Sequence, residues 1–224
     1  MRPYKYFAVE GPIGVGKTTL AQLLADQLNA KIIMENFSDN PFLEKFYADM
    51  AQYAFHTQIF FLLNRYQQQI SSIQEFSLFH SYLASDYIFQ KDKIFAYLTL
   101  NDPQLKIYEK IYATLEHEIL KPDLIIYLKA SSQTLMERIK KRNRPFENAI
   151  REDYLLKLNI AYNHFFKYYT QVPVYSIDTE HIDIVGDIQH QQTIIDAVRS
   201  LLENANPLKE LLIQNPDSIL KKEN

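Results

Sequence analysis

The chain has 224 residues, with 24 Lys and Arg against 27 Asp and Glu, so it is long enough for one α/β domain with a full core and lacks the positive surplus a duplex nucleic acid would need. It contains no cysteine, which excludes disulfides, thiolate metal sites and a Cys nucleophile, and its apolar runs at Ile59 to Leu63 and Leu124 to Leu128 are too short to span a membrane. No linker or internal repeat divides it, so a single domain over 1–224 is expected. The first strand starts at residue 4 and leaves no room for a signal-peptide core, which makes a cytoplasmic location the expectation.

In chain order the pattern opens with a strand over 4 to 10, ending in the apolar run Tyr6-Phe7-Ala8-Val9. Three of the chain's four glycines follow at once, in Gly11-Pro12-Ile13-Gly14-Val15-Gly16-Lys17-Thr18, just before a helical pattern over 18 to 29. Two glycines with four residues between them, then Lys and Thr, form a complete phosphate-binding loop, which arises by chance in roughly one chain per hundred of this length. Its backbone amides, from Gly11, Gly14, Val15 and Gly16 to Lys17, Thr18 and Thr19, can cradle phosphate at a helix N-terminus. Lys17 then reaches the β/γ-phosphates, and the Thr18 hydroxyl ligates Mg²⁺.

A short strand over 31 to 35 closes a βαβ unit, and Asn40-Pro41 supplies a capped start for one long helical stretch to about Ile70. A third strand is expected from Leu78 to Ser85, a helix over 103 to 120, and a strand from Asp123 to Lys129 whose apolar centre suits cover on both faces. A helix over 132 to 142, another from Glu152 to Tyr169 and a last strand from Val172 to Ile177 complete a doubly wound α/β fold with a five-stranded parallel sheet. The tail 204–224 is partly amphipathic, with no role assigned to it.

A phosphate-binding loop serves ATPases, GTPases and small-molecule kinases alike, so the other chemistry-bearing residues must decide. Glu35 falls just past the second strand, on the sheet edge where open parallel sheets place ligands, and a carboxylate there could take the proton of an attacking hydroxyl or simply be a solvated or capping Glu. Gln58 and Arg65, seven residues apart, share one helix face, where an amide can pair with a base edge. Arg138, Arg142 and Arg144 cluster in a basic segment. They suit either a mobile lid over about 138–150 that meets a transferring phosphoryl group, or an ordinary basic helix end.

The phosphate-binding loop, Asp39-Asn-Pro-Phe-Leu-Glu-Lys-Phe-Tyr47, Gln58 to Arg65, Ser85-Asp86-Tyr87 and Arg142-Asn-Arg-Pro-Phe-Glu147 together resemble the deoxynucleoside kinase family, in particular its bacterial deoxyguanosine and deoxyadenosine kinases, over residues 4 to about 185. The resemblance implies a P-loop kinase fold with an arginine-rich lid, ATP as phosphate donor with Mg²⁺, a small-molecule deoxynucleoside as acceptor, no nucleic-acid or membrane partner, and a homodimer. It implies that Glu35 is the general base toward the 5′-hydroxyl and that Tyr47 and Glu147 hold the sugar 3′-hydroxyl. Gln58 and Arg65 would read the base, with Phe95 stacked on it. It implies Lys17, Arg138, Arg142 and Arg144 as the catalytic cations, and Thr18 with Asp86 as the Mg²⁺ partners.

One departure stands out: most of the family has an arginine next to the acid where this chain has Ser85-Asp86, so Asp86 is read as the acid shifted by one position, with Arg65 or a lid arginine filling in. Lys91 stands where relatives that accept deoxycytidine have an acid, which points to a purine deoxynucleoside. The leading expectation is therefore phosphoryl transfer from ATP to the 5′-hydroxyl of a purine deoxynucleoside. A thymidylate kinase-like monophosphate kinase is disfavoured, because Arg65 is the sole arginine between Arg2 and Arg138 and Glu35 would repel an acceptor phosphate. A catalytically weak regulatory subunit, suggested by the missing arginine, is opposed by the intact Lys17, Thr18 and Glu35.

Overall fold

A computed structural model describes residues 4–74 and 80–203. Five parallel strands, β1 (Lys5–Glu10), β2 (Ala30–Ile33), β3 (Tyr82–Ser85), β4 (Leu124–Lys129) and β5 (Val174–Asp178), are arranged in the order β2-β3-β1-β4-β5. The chain leaves β1 toward one side of the sheet and reaches β4 on the other, so the topological switch lies at β1 and β3, whose carboxyl ends open into a crevice. Both of these strands and β4 are almost entirely buried, as apolar runs covered on two faces must be.

Among the described residues eight α-helices flank the sheet: α1 (Lys17–Leu28), α2 (Leu43–Ala48), α3 (Met50–Gln74), α4 (Lys91–Thr99), α5 (Asp102–Glu116), α6 (Ser132–Arg142), α7 (Glu152–Tyr168) and α8 (Ile188–Glu203). Helix α1 packs on β1, β2 and β3 and touches α8, while α3 packs on α4 and α5, and α7 on α4 and α6. The main core lies between the sheet and these helices, around Phe7, Val9, Leu20, Leu24, Ile125 and Leu155. No described helix is long and apolar enough to cross a membrane.

The expected long helix from Pro41 divides. A 3₁₀ turn at Phe37–Asp39 precedes it, and the Asn40 side chain accepts the Phe42 amide at 3.0 Å, which delays the start of α2 to Leu43. Asp49 leaves helical geometry, and its carboxylate accepts the Gln52 amide at 3.1 Å, which restarts the chain as α3. Strand β3 is limited to Tyr82–Ser85, residues 78 and 79 of its expected span lying outside the described residues, as does the tail 204–224. Two helices were not expected at all. Helix α8 buries Ile194, Ile195, Val198, Leu201 and Leu202 at helical spacing, and Asp187 accepts the His190 amide at its start, so its stripe and cap were both present in the sequence. Helix α4 buries Lys91 and Asp92 in its first turn, against any amphipathic pattern.

The phosphate-binding loop is wedged between β4 and α6. A Cβ at Gly14, whose φ is +86°, would meet the Leu135 carbonyl oxygen at 2.8 Å and Ile139 Cγ1 at 2.9 Å. Replacing Gly14 by Ala is expected to cost about 2 kcal/mol or more, from left-handed strain plus overpacking, read as a lower urea midpoint at unchanged m-value.

Candidate active site

The loop after β1, the segments after β2 and β3, and helices α2, α3, α4 and α6 meet at the carboxyl edge of the sheet around one open-mouthed cavity. Lys17, Thr18, Glu35, Tyr47, Gln58, Arg65, Asp86, Phe95, Arg142, Arg144 and Glu147 all line it, together with Lys91, Phe37, Phe46, Phe61, Phe146 and Tyr154. Beside it Gly16 sits at the N-cap of α1 with φ +103° and no side chain to cap the first turn, which leaves that helix end as an anion site.

Asp86 is the crosspiece. Thr18 Oγ1 donates to its Oδ2 at 2.7 Å, and the Glu35 amide donates to its Oδ1 at 2.7 Å, so one carboxylate ties the phosphate loop to the segment after β2. A hydroxyl and a carboxylate oxygen side by side at a phosphate loop are hard oxygen donors, the set that suits Mg²⁺. Beneath the loop the fully buried Glu10 accepts the Gly11 amide at 2.8 Å and the Ile88 amide at 2.9 Å, which locks the loop to the chain after β3.

Glu35 is held by two cations. Arg65 donates to its Oε1 through Nε at 2.8 Å and Nη2 at 2.6 Å, and Lys91 Nζ donates to its Oε2 at 2.7 Å. Burial alone would raise its pKa, but Lys91 and Arg65 outweigh burial and hold the carboxyl well below the usual carboxylate range. The outer edge of Arg65 pairs with the fully buried Asp92, which also accepts the Tyr108 hydroxyl at 2.8 Å, and the guanidinium lies 4.7 Å from the Phe61 ring centre. Lys17 folds onto its own loop, donating to the carbonyls of Gly11 at 2.8 Å and Pro12 at 3.0 Å. Burial, and then the neighbouring Lys91 charge, lower its pKa to about 8, against the opposite pull of Glu10, Glu35 and Asp86.

At the far end Gln58 is 2% exposed and its Oε1 has no hydrogen-bond partner, nor has the buried Thr57 Oγ1 beside it. Phe95 stands edge-on to Tyr162 with ring centres 6.1 Å apart. Burial and the Glu147 charge raise the Tyr47 pKa, so its hydroxyl keeps its proton. Glu147 accepts from Arg142 through both Nη2 and Nε, the latter at 3.1 Å, with Arg144 Nη1 at 3.7 Å. Arg144 itself stacks on Phe37 at 4.5 Å.

Two expectations need correction. Arg138 does not join the other lid arginines: it donates to Thr179 Oγ1 at 2.9 Å and to the Thr179 carbonyl at 2.6 Å, one turn before Arg142 and away from the cavity. Lys91 is not a base-side replacement for an acid, because its ammonium lies on Glu35, and an acid, Asp92, is present one position on and paired with Arg65. The case for a purine therefore loses Lys91. Gly11, Val15, Gly16 and Thr19 lie in the loop and α1 without lining this cavity. Sequence reasoning passed over Asp92 and Glu10, and only burial on a short helix and at a strand end reveals them.

Residues 7–203 match the sequence profile of the Deoxynucleoside kinase family. The chain belongs to that family. It is 37% identical over 206 residues to the deoxyguanosine kinase of Bacillus subtilis, which covers 90% of this chain and all of that one, and 35% identical over 185 residues to the deoxyadenosine kinase of Dictyostelium discoideum, covering 80% and 74%. The deoxyadenosine kinase of M. mycoides with bound dCTP superposes with a TM-score of 0.75 at 26% identity, covering 87% of this chain and 99% of that one. The chain is thus an ATP-dependent deoxynucleoside kinase.

Arg65→Met should leave the fully buried Asp92 without a cation and Glu35 with Lys91 alone, lowering stability by about 3 kcal/mol at neutral pH, measured by urea unfolding. The depressed Glu35 pKa contributes stability that is present above its ordinary 4.5 and lost as pH falls below it, so the gap between variant and wild type should narrow in acid. Lys17 should bind ATP with uptake of about half a proton per site at pH 8, because phosphate restores its full charge. Calorimetry in buffers of different ionisation enthalpy should show this uptake, and Lys17→Met should abolish it.

Proposed function

We propose that this kinase transfers the ATP γ-phosphoryl group to the 5′-hydroxyl of a purine deoxynucleoside, with Mg²⁺, in nucleoside salvage. The observation that carries the reading is Glu35, whose carboxylate lines one cavity together with the phosphate-loop residues Lys17 and Thr18 and with Gln58, Phe61 and Phe95 of an aromatic chamber. That chamber takes a flat base and sugar, and its mouth takes a triphosphate.

In the proposed reaction the base lies on Phe95 and meets the unpartnered Gln58 carbonyl oxygen, while Tyr47 and Glu147 receive the 3′-hydroxyl. The 5′-hydroxyl then hydrogen-bonds to Glu35, which takes its proton as the O5′–P bond forms and the bond to the β-phosphate oxygen breaks, releasing ADP. Thr18 and Asp86 would hold Mg²⁺, which neutralises charge on the phosphates. Arg142 and Arg144 line the cavity and would meet the transferring group, whereas Arg138, held by Thr179, takes no part. The purine preference is supported by the names of two relatives, a deoxyguanosine kinase and a deoxyadenosine kinase. A homodimer is supported by the exposed Leu156 and Ile160, one turn apart on α7, and a cytoplasmic setting by the cysteine-free composition.

Glu35→Gln should keep deoxynucleoside affinity while kcat falls about 10²-fold or more, the usual scale for a general base. Initial rates with ATP, Mg²⁺ and each of the four deoxynucleosides should show deoxyguanosine or deoxyadenosine ahead in kcat/KM, by well over the roughly 10 to 200-fold that volume alone supplies. Gln58→Ala should erase much of that margin. Equal rates for all four, or thymidine in front, overturn the purine assignment.

A further inference from the structure

Lys91 is an unusual residue for its place. It opens α4, at the positive end of the helix dipole where a cation is least favoured, and it is 2% exposed. Its ammonium has three N–H donors, and the side-chain acceptor it uses is Glu35 Oε2 at 2.7 Å. Glu35 Oε1 is filled by two N–H groups of Arg65, so Oε2 is the oxygen with an acceptor position left. An incoming hydroxyl that gives its proton to Glu35 must then use Oε2, beside the Lys91 ammonium.

On the proposed reaction, on which this inference rests, we propose that Lys91 is a catalytic residue of phosphoryl transfer: it orients Glu35 Oε2 toward the acceptor hydroxyl and contacts the γ-phosphoryl oxygens as the group passes from donor to acceptor. Lys91 pairs with Glu35 after β2, which Arg65 on α3 also holds; it acts on Lys17 of α1, lies 5.8 Å from the Tyr87 ring after β3, and shares the cavity wall with Asp86. Lys91 lies close enough to Lys17 that its charge disfavours the charged form of Lys17. Both ammonium groups line the one cavity, so their mutual repulsion turns into shared attraction when a phosphoryl group lies between them. A group in flight spreads its charge over equatorial oxygens, so a lateral cation gains strength in the transition state.

The test compares Lys91→Met, Lys91→Gln and Lys91→Arg with wild type, each first checked by a melting curve, using the substrate with the highest wild-type rate. The expected result is a kcat loss of about 10²-fold or more for Met and Gln, the scale of removing one preorganised donor, with the deoxynucleoside KM within a few-fold of wild type and a partial return of kcat in Lys91→Arg. If Met does not fold, Gln carries the comparison. The same change is made in the Glu35→Gln background. A further loss there supports contact with the phosphoryl group, and no further loss shows that Lys91 acts only through Glu35 and overturns the catalytic assignment. A kcat within threefold of wild type in Lys91→Met or Lys91→Gln also overturns it. A wild-type protein that phosphorylates no deoxynucleoside overturns the proposed reaction instead.

Discussion

The whole site hangs on the two oxygens of Asp86. One takes the Thr18 hydroxyl from the start of α1 and the other the backbone amide of Glu35 after β2, while Asp86 itself follows β3. Three neighbouring strand ends are thereby set relative to one another by one side chain that is 4% exposed. Because charge-assisted bonds in a buried setting are strong and short, the distance from phosphate loop to Glu35 is a property of the sheet edge and not of a flexible loop. A proton acceptor and a phosphate cradle must meet at a common oxygen for in-line transfer, and such a crosspiece ties the segments that carry them together without substrate.

A second layer orients the first. Arg65 spans from Asp92 to Glu35, Tyr108 donates to Asp92, and Glu10 fixes the Gly11 and Ile88 amides under the loop. Each of these acids is buried and each is satisfied, which is the condition under which buried charge gives geometric definition instead of a net penalty. The cost of this polarity is met by the apolar core on the two faces of β1, β3 and β4.

Much of this was legible in the sequence because the relevant signals are local. A glycine-rich loop between a buried strand and a helix, a carboxylate just past the next strand, and Gln58 and Arg65 two turns apart all specify position through regular geometry. The five strands in parallel order followed from their apolar runs. What escaped depends on long-range packing. Lys91 and Asp92 are adjacent and oppositely charged, and only the angle of about 100° per residue around α4 sends one to Glu35 and the other to Arg65. Arg138 shares a helix with Arg142, yet a Thr179 loop from across the sheet captures it. Helix α8 escaped for a different reason, since its stripe and cap lay in plain view beyond the last strand.

Glu147 shows how the lid and the acceptor chamber are joined. In this structure its carboxylate is occupied by Arg142 and approached by Arg144, the two rim cations suited to a phosphoryl group. On the proposed reaction the same carboxylate receives the sugar 3′-hydroxyl, so it must divide its lone pairs between sugar and arginine when the chamber is full. Arg142 is about one-third exposed and bonds along the flank of Glu147, whereas Arg144 rests on Phe37 with a longer, weaker approach. A sugar that takes one Glu147 oxygen therefore loosens an arginine at the rim without unpairing the acid. On the proposed reaction, filling the chamber and freeing a cation toward the triphosphate would be one event, favouring transfer when an acceptor is in place and leaving the arginines neutralised when it is not.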